Sequence, residues 1–184
     1  LGDVFDKINP AVSLRNAFVE VLAPLVQNKI PIIVLIGNHD TDAKVYSLMT
    51  ESSIFNMLDS NAITVLDQPC EMQLEGVDTV MIPWTTDEVV AEWLTKTKNK
   101  IVFGHWGVDG ALVSGTEFVL SLGVNPKLFD HHRYTYLGHY HKPQSTKKKS
   151  YRFLIGKMSD DKSRQELESI CMDVFYEKVV KEFV

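Results

Sequence analysis

A chain of 184 residues that is 45% hydrophobic and 23% charged has room for one globular domain with a real core, which excludes a disordered or fibrous protein. Its formal net charge of −5 repels a polyanion as a whole, so any contact with nucleic acid must come from a local basic patch. No stretch approaches the ~20 apolar residues of a membrane span, and no basic-then-apolar leader precedes the first motif, so the expectation is a cytoplasmic protein without membrane contact. The two cysteines, Cys70 and Cys171, stand in apolar settings without metal-type spacing and read as reduced core residues. The chain opens Leu1-Gly2-Asp3, without methionine and already inside a motif, and the expectation is that a natural N-terminus is missing.

In chain order, Leu14, Phe18, Val21, Leu22, Leu25 and Val26 share one helical face. They predict a helix over 14–27 with Ser13 as N-cap, shortened or kinked by Pro24, its apolar stripe packed on its own sheet. Ile32 to Ile36 is a β-branched run apolar on both faces, the pattern of a central strand covered on two sides. One or two short helices are expected over 41–58 and a strand over 63–66. Segments 70–74 and 77–82 flank Glu75-Gly76 as a hairpin. A helix is expected over 87–96, and strands over 101–103, 134–137 and 151–155. In the tail, the alternation of Ile170, Met172 and Val174 favours a hairpin through Tyr176-Glu177-Lys178 over a helix.

Strands repeatedly end in glycine followed by a polar residue. Asp3, Asn38, His39, His105, His139 and His141 all stand where an apolar strand gives way to a glycine-containing turn, and in layered α/β folds that edge is where ligand sites assemble. Imidazole, amide oxygen and carboxylate form a mixed N/O donor set that suits Mn²⁺ and admits Fe or Zn. A carboxylate such as Asp3 can bridge two cations. Two cations about 3.5–4 Å apart would activate water and stabilise charge on a phosphoryl oxygen, as phosphodiester cleavage requires. His39 is placed to protonate a leaving alkoxide, with Asp40 orienting its ring and raising its pKa.

Gly2-Asp3-Val4-Phe5-Asp6, Gly37-Asn38-His39-Asp40, Gly104-His105 and Gly138-His139-Tyr140-His141 resemble, in order, the motifs of the calcineurin-like metallophosphoesterases. Residues 2–10 and 137–144 resemble most the SbcD-type double-strand-break repair nucleases, and Ile82-Pro83-Trp84 and Gly104-His105-Trp106 their bacteriophage versions. The resemblance implies an α/β fold: a layered β-sandwich flanked by helices, one domain over 1–184 that lacks its N-terminal strand or strands, with 156–184 as a loosely matching extension. It implies a DNA nuclease subunit acting on DNA ends with two divalent cations, Mn²⁺ first. Asp3 would bridge the two ions, Asn38, His105 and His139 would complete one site, His141 would belong to the other, and His39 would be the proton donor. It also implies a homodimer paired with an SbcC-type coiled-coil ABC ATPase. The family's opening Asp-x-His motif has no counterpart here, so the expectation for this chain alone is weak or absent activity and a truncated central sheet that folds poorly. Two other readings stand beside the nuclease: a phosphatase or small-molecule phosphodiesterase of the same fold, and a non-catalytic scaffold.

For the remaining polar residues the plainer reading is set beside the functional one. His131 and His132, in the string Asp130 to Arg133, read as surface residues. Lys142, Lys147 to Lys149 and Arg152 form either a path for a phosphate backbone or a solvated loop. Trp84 and Trp106 read as core packing before base stacking.

Overall fold

The computed structural model describes residues 1–5, 7–8, 10–40, 61–112, 119, 121–140 and the backbone of 151–153. The expected helices over 41–58, the tail beyond 153 including Cys171, and His141 with the lysines after it lie outside the described residues.

Helix α1 spans Val12–Gln27. Its N-cap is Ala11, not Ser13: the Ala11 carbonyl accepts from Leu14 and Arg15 N–H at 3.0 and 3.1 Å, which leaves Ser13 inside the first turn. Pro24, which cannot donate to the preceding turn, lies near the C-terminal end. There the backbone N–H and the side-chain Nδ2 of Asn28 both close on the Pro24 carbonyl, at 3.1 and 2.7 Å. The expected packing of the whole apolar stripe does not occur. Leu22 is buried and Phe18 packs edge-on against Phe5 at 5.4 Å, but Val21 is 70% exposed and Leu14 and Leu25 are exposed too. A stripe read from spacing alone cannot tell which of its members reach a partner.

Strand β1 is Ile32–Leu35 and pairs in parallel with β2, Ile63–Leu66. β2 is its sole partner among the described residues, so the central position expected for it is not seen there. A second sheet of five strands has the order β3-β4-β5-β6-β7, with β3 at Cys70–Leu74, β4 at Val77–Ile82, β5 at Ile101–Gly104, β6 at Tyr134–Leu137 and β7 at Tyr151–Phe153. The hairpin at Glu75-Gly76 joins β3 to β4 antiparallel, and every later pairing is parallel. Cys70, expected in the core, is half-buried on the edge strand β3.

Helix α2, Asp87–Lys96, starts on Thr86, whose hydroxyl accepts from Val89 N–H, with Asp87 and Glu88 in the first turn and Lys96 in the last, the charge order that suits the helix dipole. Val90 and Leu94 of α2 and Phe129 of the 3-10 helix Pro126–His131 are buried with Val80, Ile82, Val102 and Leu137 of the sheet and with Trp106. This is one continuous apolar core. Side chains on β4 are buried from Thr79 to Ile82 without alternation, as a strand covered on both faces requires. Opposite the α2 side, Phe103 and Tyr136, partners in register, stack at 5.3 Å. Parallel strands β4, β5 and β6 therefore deliver their C-terminal ends toward one region. Trp84 N–H donates to the Ile36 carbonyl at 2.8 Å, which ties the end of β4 to the end of β1.

Candidate metal centre

Each strand end contributes a polar side chain through a sharp turn. The backbone passes close enough at Gly37 that a Cβ there would collide with the Asp3 amide and carboxylate, and at Gly138 one would collide with the Leu1 carbonyl and the His105 ring. Asp3 and His139 themselves take positive φ, 51° and 79°, which costs a residue with a Cβ of order 1–3 kcal/mol and is held only where the surroundings enforce it. Hydrogen bonds from distant segments do so here. Asp3 Oδ1 accepts from His39 N–H at 2.8 Å.

His105 is almost fully buried, and its Nδ1 lies 2.6 Å from the Leu1 carbonyl oxygen. A carbonyl only accepts, so the proton of a neutral imidazole is at Nδ1 and Nε2 presents a lone pair. That Nε2 stands 3.2 Å from Asp3 Oδ2 and 3.1 Å from Asn38 Oδ1, and the same Asn38 oxygen is 3.0 Å from His139 Nδ1. With a neutral His105, Asp3 Oδ2, Asn38 Oδ1 and His105 Nε2 face one another with no proton from that ring, while His139 can donate from Nδ1 to Asn38 Oδ1. A cation among them resolves the repulsion, and donors each about 2.1 Å from one ion at right angles stand about 3 Å apart. Asp3, His105 and His139 each offer a donor atom within 4.8 Å of the others. The donor set fits a divalent ion.

The carboxylates at the site are tuned in opposite directions. Burial pushes the Asp3 carboxyl up, but the His105 ring, which pairs with the carboxylate when it carries a second proton, together with the His39 amide and ring, outweighs it and holds Asp3 below the usual carboxylate range. Asp40 is pushed up, first by burial and then by the Asp3 charge, against the pull of the Gly37, Val4 and Asp3 amides.

The structure places the sequence-predicted residues as follows. Asp3, Asn38, His105 and His139 meet. His39 joins them through its backbone, and its Nδ1 is buried without a hydrogen-bond partner. Asp40, expected to orient the His39 ring, makes its described side-chain hydrogen bonds to backbone amides. Its Oδ2 accepts from Asp3 N–H at 2.7 Å and Gly37 N–H at 2.9 Å, and its Oδ1 from Val4 N–H at 3.0 Å. It clamps two loops together, because three backbone donors occupy both of its oxygens.

His132 corrects an expectation. It is buried, with its Nε2 3.0 Å from the Leu94 carbonyl, whereas His131 at the end of the 3-10 helix is exposed as expected. Trp106 is fully buried in the core, as expected, but Trp84 is half-buried with its ring against the histidines, 5.2 Å from His139 and 6.2 Å from His105. Two supporting residues escaped the sequence reading. The Tyr140 hydroxyl accepts from Val108 N–H at 2.6 Å and donates to its carbonyl at 3.2 Å, pinning the chain after β6 to the chain after β5. Its place between His139 and His141, where alternation turns it to the opposite side, was the available signal. The Leu1 carbonyl has no side-chain signal at all.

Among the described residues no helix is long and apolar enough to cross a membrane. A family model described as calcineurin-like phosphoesterase matches residues 1–143. A search of curated proteins finds no match to the chain.

Proposed function

The chain belongs to the calcineurin-like phosphoesterase family, a family of metal-dependent phosphoester hydrolases, and from that premise we propose that it cleaves phosphodiester bonds at DNA ends using two divalent cations, Mn²⁺ foremost. The observation that carries the metal reading is the convergence of Asp3 Oδ2, Asn38 Oδ1 and His105 Nε2. Divalent cations bound there supply positive charge for phosphoryl oxygens and acidify water. Asp3, Asn38, His105 and His139 hold one ion, and His141, from the adjoining motif, belongs to the other. His39 carries the proton for the leaving alkoxide, and its backbone bond to Asp3 keeps it beside the carboxylate. Asp40 holds the Asp3 and Gly37 loops in register for this arrangement.

DNA as substrate rests on the likeness of residues 2–10 and 137–144 to SbcD-type nucleases. The same likeness carries the proposed homodimer and the SbcC-type coiled-coil ABC ATPase partner, and with them a cytoplasmic location. One observation favours a second reading, a phosphatase or phosphodiesterase acting on a small molecule: a net charge of −5 disfavours a polyanion more than a small ester. The test is Mn²⁺-dependent release of nucleotides from linear duplex DNA set beside turnover of a chromogenic phosphomonoester. DNA cleavage abolished by a chelator and restored by Mn²⁺ supports the nuclease. Turnover of the small ester alone supports the second reading. Failure of the chain to bind any divalent ion, read by calorimetry, overturns both and leaves a scaffold.

A further inference from the structure

We propose that Trp84, which is no metal ligand, is a positioning residue that fixes the His139 imidazole for metal coordination. This rests on the metal reading above and names a residue that reading does not use. The indole lies 5.2 Å from the His139 ring at an interplanar angle of 30° and meets the His105 ring edge-on at 6.2 Å and 77°. Near-parallel packing engages the π face of an imidazole, whereas a proton or an ion is held at its in-plane nitrogens. The His139 backbone is held at φ 79°, a sparsely populated conformation that persists where the surroundings enforce it, and the indole is one of those surroundings.

Trp84 is itself anchored. Its backbone N–H donates to the Ile36 carbonyl at 2.8 Å, one residue before Gly37 and two before Asn38, and so fixes where the indole starts from. The backbone of residue 84 thus meets the loop that carries Asn38, and its side chain meets the ring that carries the His139 donor. Its half-buried state puts the indole beside the ligands and not in the core that holds Trp106. A stacked neighbour that orients a ligand acts as hydrogen-bonded outer partners of metal sites do, whose loss costs about 10–100-fold in metal affinity.

The test compares Trp84→Leu and Trp84→Phe with the native chain. Leucine keeps apolar volume without a flat face, and phenylalanine keeps a smaller face. Mn²⁺ affinity is read by calorimetry well below each unfolding midpoint, and ligand geometry by the visible spectrum of the Co²⁺-loaded protein. The expected result is a loss of Mn²⁺ affinity of about 10-fold or more for leucine, the low end of the outer-partner range, and a smaller loss for phenylalanine, each with a shifted Co²⁺ spectrum. Native affinity and a native spectrum in both variants overturn the positioning role while leaving the metal site standing. If the leucine variant does not fold, the phenylalanine variant decides alone, and native behaviour there overturns the proposal. A native chain that binds neither ion removes the metal reading and this one with it.

Discussion

The two sheets solve different problems. The five-stranded sheet is held by apolar packing: Val80, Ile82, Val90, Leu94, Val102, Trp106 and Phe129 are all sealed from solvent in one cluster. Among the described residues, the part around β1 and α1 combines burial of Phe5, Leu22, Val34, Leu35 and Ile36 with the polar Asp40 clamp and the Phe5–Phe18 pair. The candidate metal centre lies on the seam between them, taking His105 and His139 from the packed part and Asp3 and Asn38 from the clamped one. Rigid walls on one side set the imidazoles, and a hydrogen-bonded loop on the other brings the carboxylate. The geometry of the centre therefore depends on both kinds of cohesion, and each can be broken separately.

The largest effect is expected in the packed part. Phe129→Ala removes a fully buried ring from the core cluster and should cost about 3–5 kcal/mol of stability, read as a lowered denaturant midpoint at unchanged slope. A cost near that of a surface change would mean that this core is not the support described. Next comes the clamp. Asp40→Asn preserves shape but turns one acceptor into a donor facing backbone N–H groups of Gly37, Asp3 or Val4, and an unsatisfied donor costs about 1–3 kcal/mol. The distinguishing readout is hydrogen exchange. Amides of Asp3, Val4 and Gly37 should exchange faster while those of Val80 to Ile82 and Val102 keep their protection. Uniform loss of protection across both parts would show that the clamp and the core are one cooperative unit.

That contrast also explains what was legible in the sequence. β1, β2, β4, β5 and β6 were readable because each is a short apolar run that stops at a turn, and the packing that stabilises it is written in its own residues. Asp3, Asn38, His105 and His139 were readable because a glycine or a strand end precedes each. The role of Asp40 was not, because its partners are backbone amides up to 37 positions away, and a backbone donor leaves no mark on residue type. His132 was misread because the polar string Asp130 to Arg133 suggests solvent. The turn after the 3-10 helix sends one histidine outward and the next under Leu94. The α1 stripe was misread for the converse reason, since spacing defines a face but not the surface opposite it.

Smaller effects sharpen the boundary between the two parts. In the packed one, His132 donates from Nε2 to the Leu94 carbonyl and leaves Nδ1 buried without a partner, so a second proton there has no acceptor. Burial first, with the neighbouring His131 charge adding and the Leu94 carbonyl opposing, holds its pKa below the ordinary value of 6.5. As pH falls below about 6.5, the unfolded chain takes up this proton before the folded one does. The contribution of His132 to stability is therefore complete above that pH and shrinks on acidification. His132→Gln keeps a donor for Leu94 but does not titrate, so its melting temperature should fall less between pH 7 and pH 5 than that of the native chain. Equal slopes would show that His132 reaches solvent.

The smallest effect is expected at Val21, which is 70% exposed on α1. Val21→Ser exchanges two residues of similar helix propensity at a position with little apolar area to lose, so stability should change by no more than about 0.5 kcal/mol. The neighbouring Leu22→Ala is the internal control, because Leu22 is the buried member of this helix and truncating a buried leucine typically costs about 2–5 kcal/mol. If Val21→Ser proves as costly as Leu22→Ala, α1 is covered on that face as well. If only the leucine matters, the inner side of α1, with Leu22 and the Phe18 contact to Phe5, carries the helix and its outer face does not.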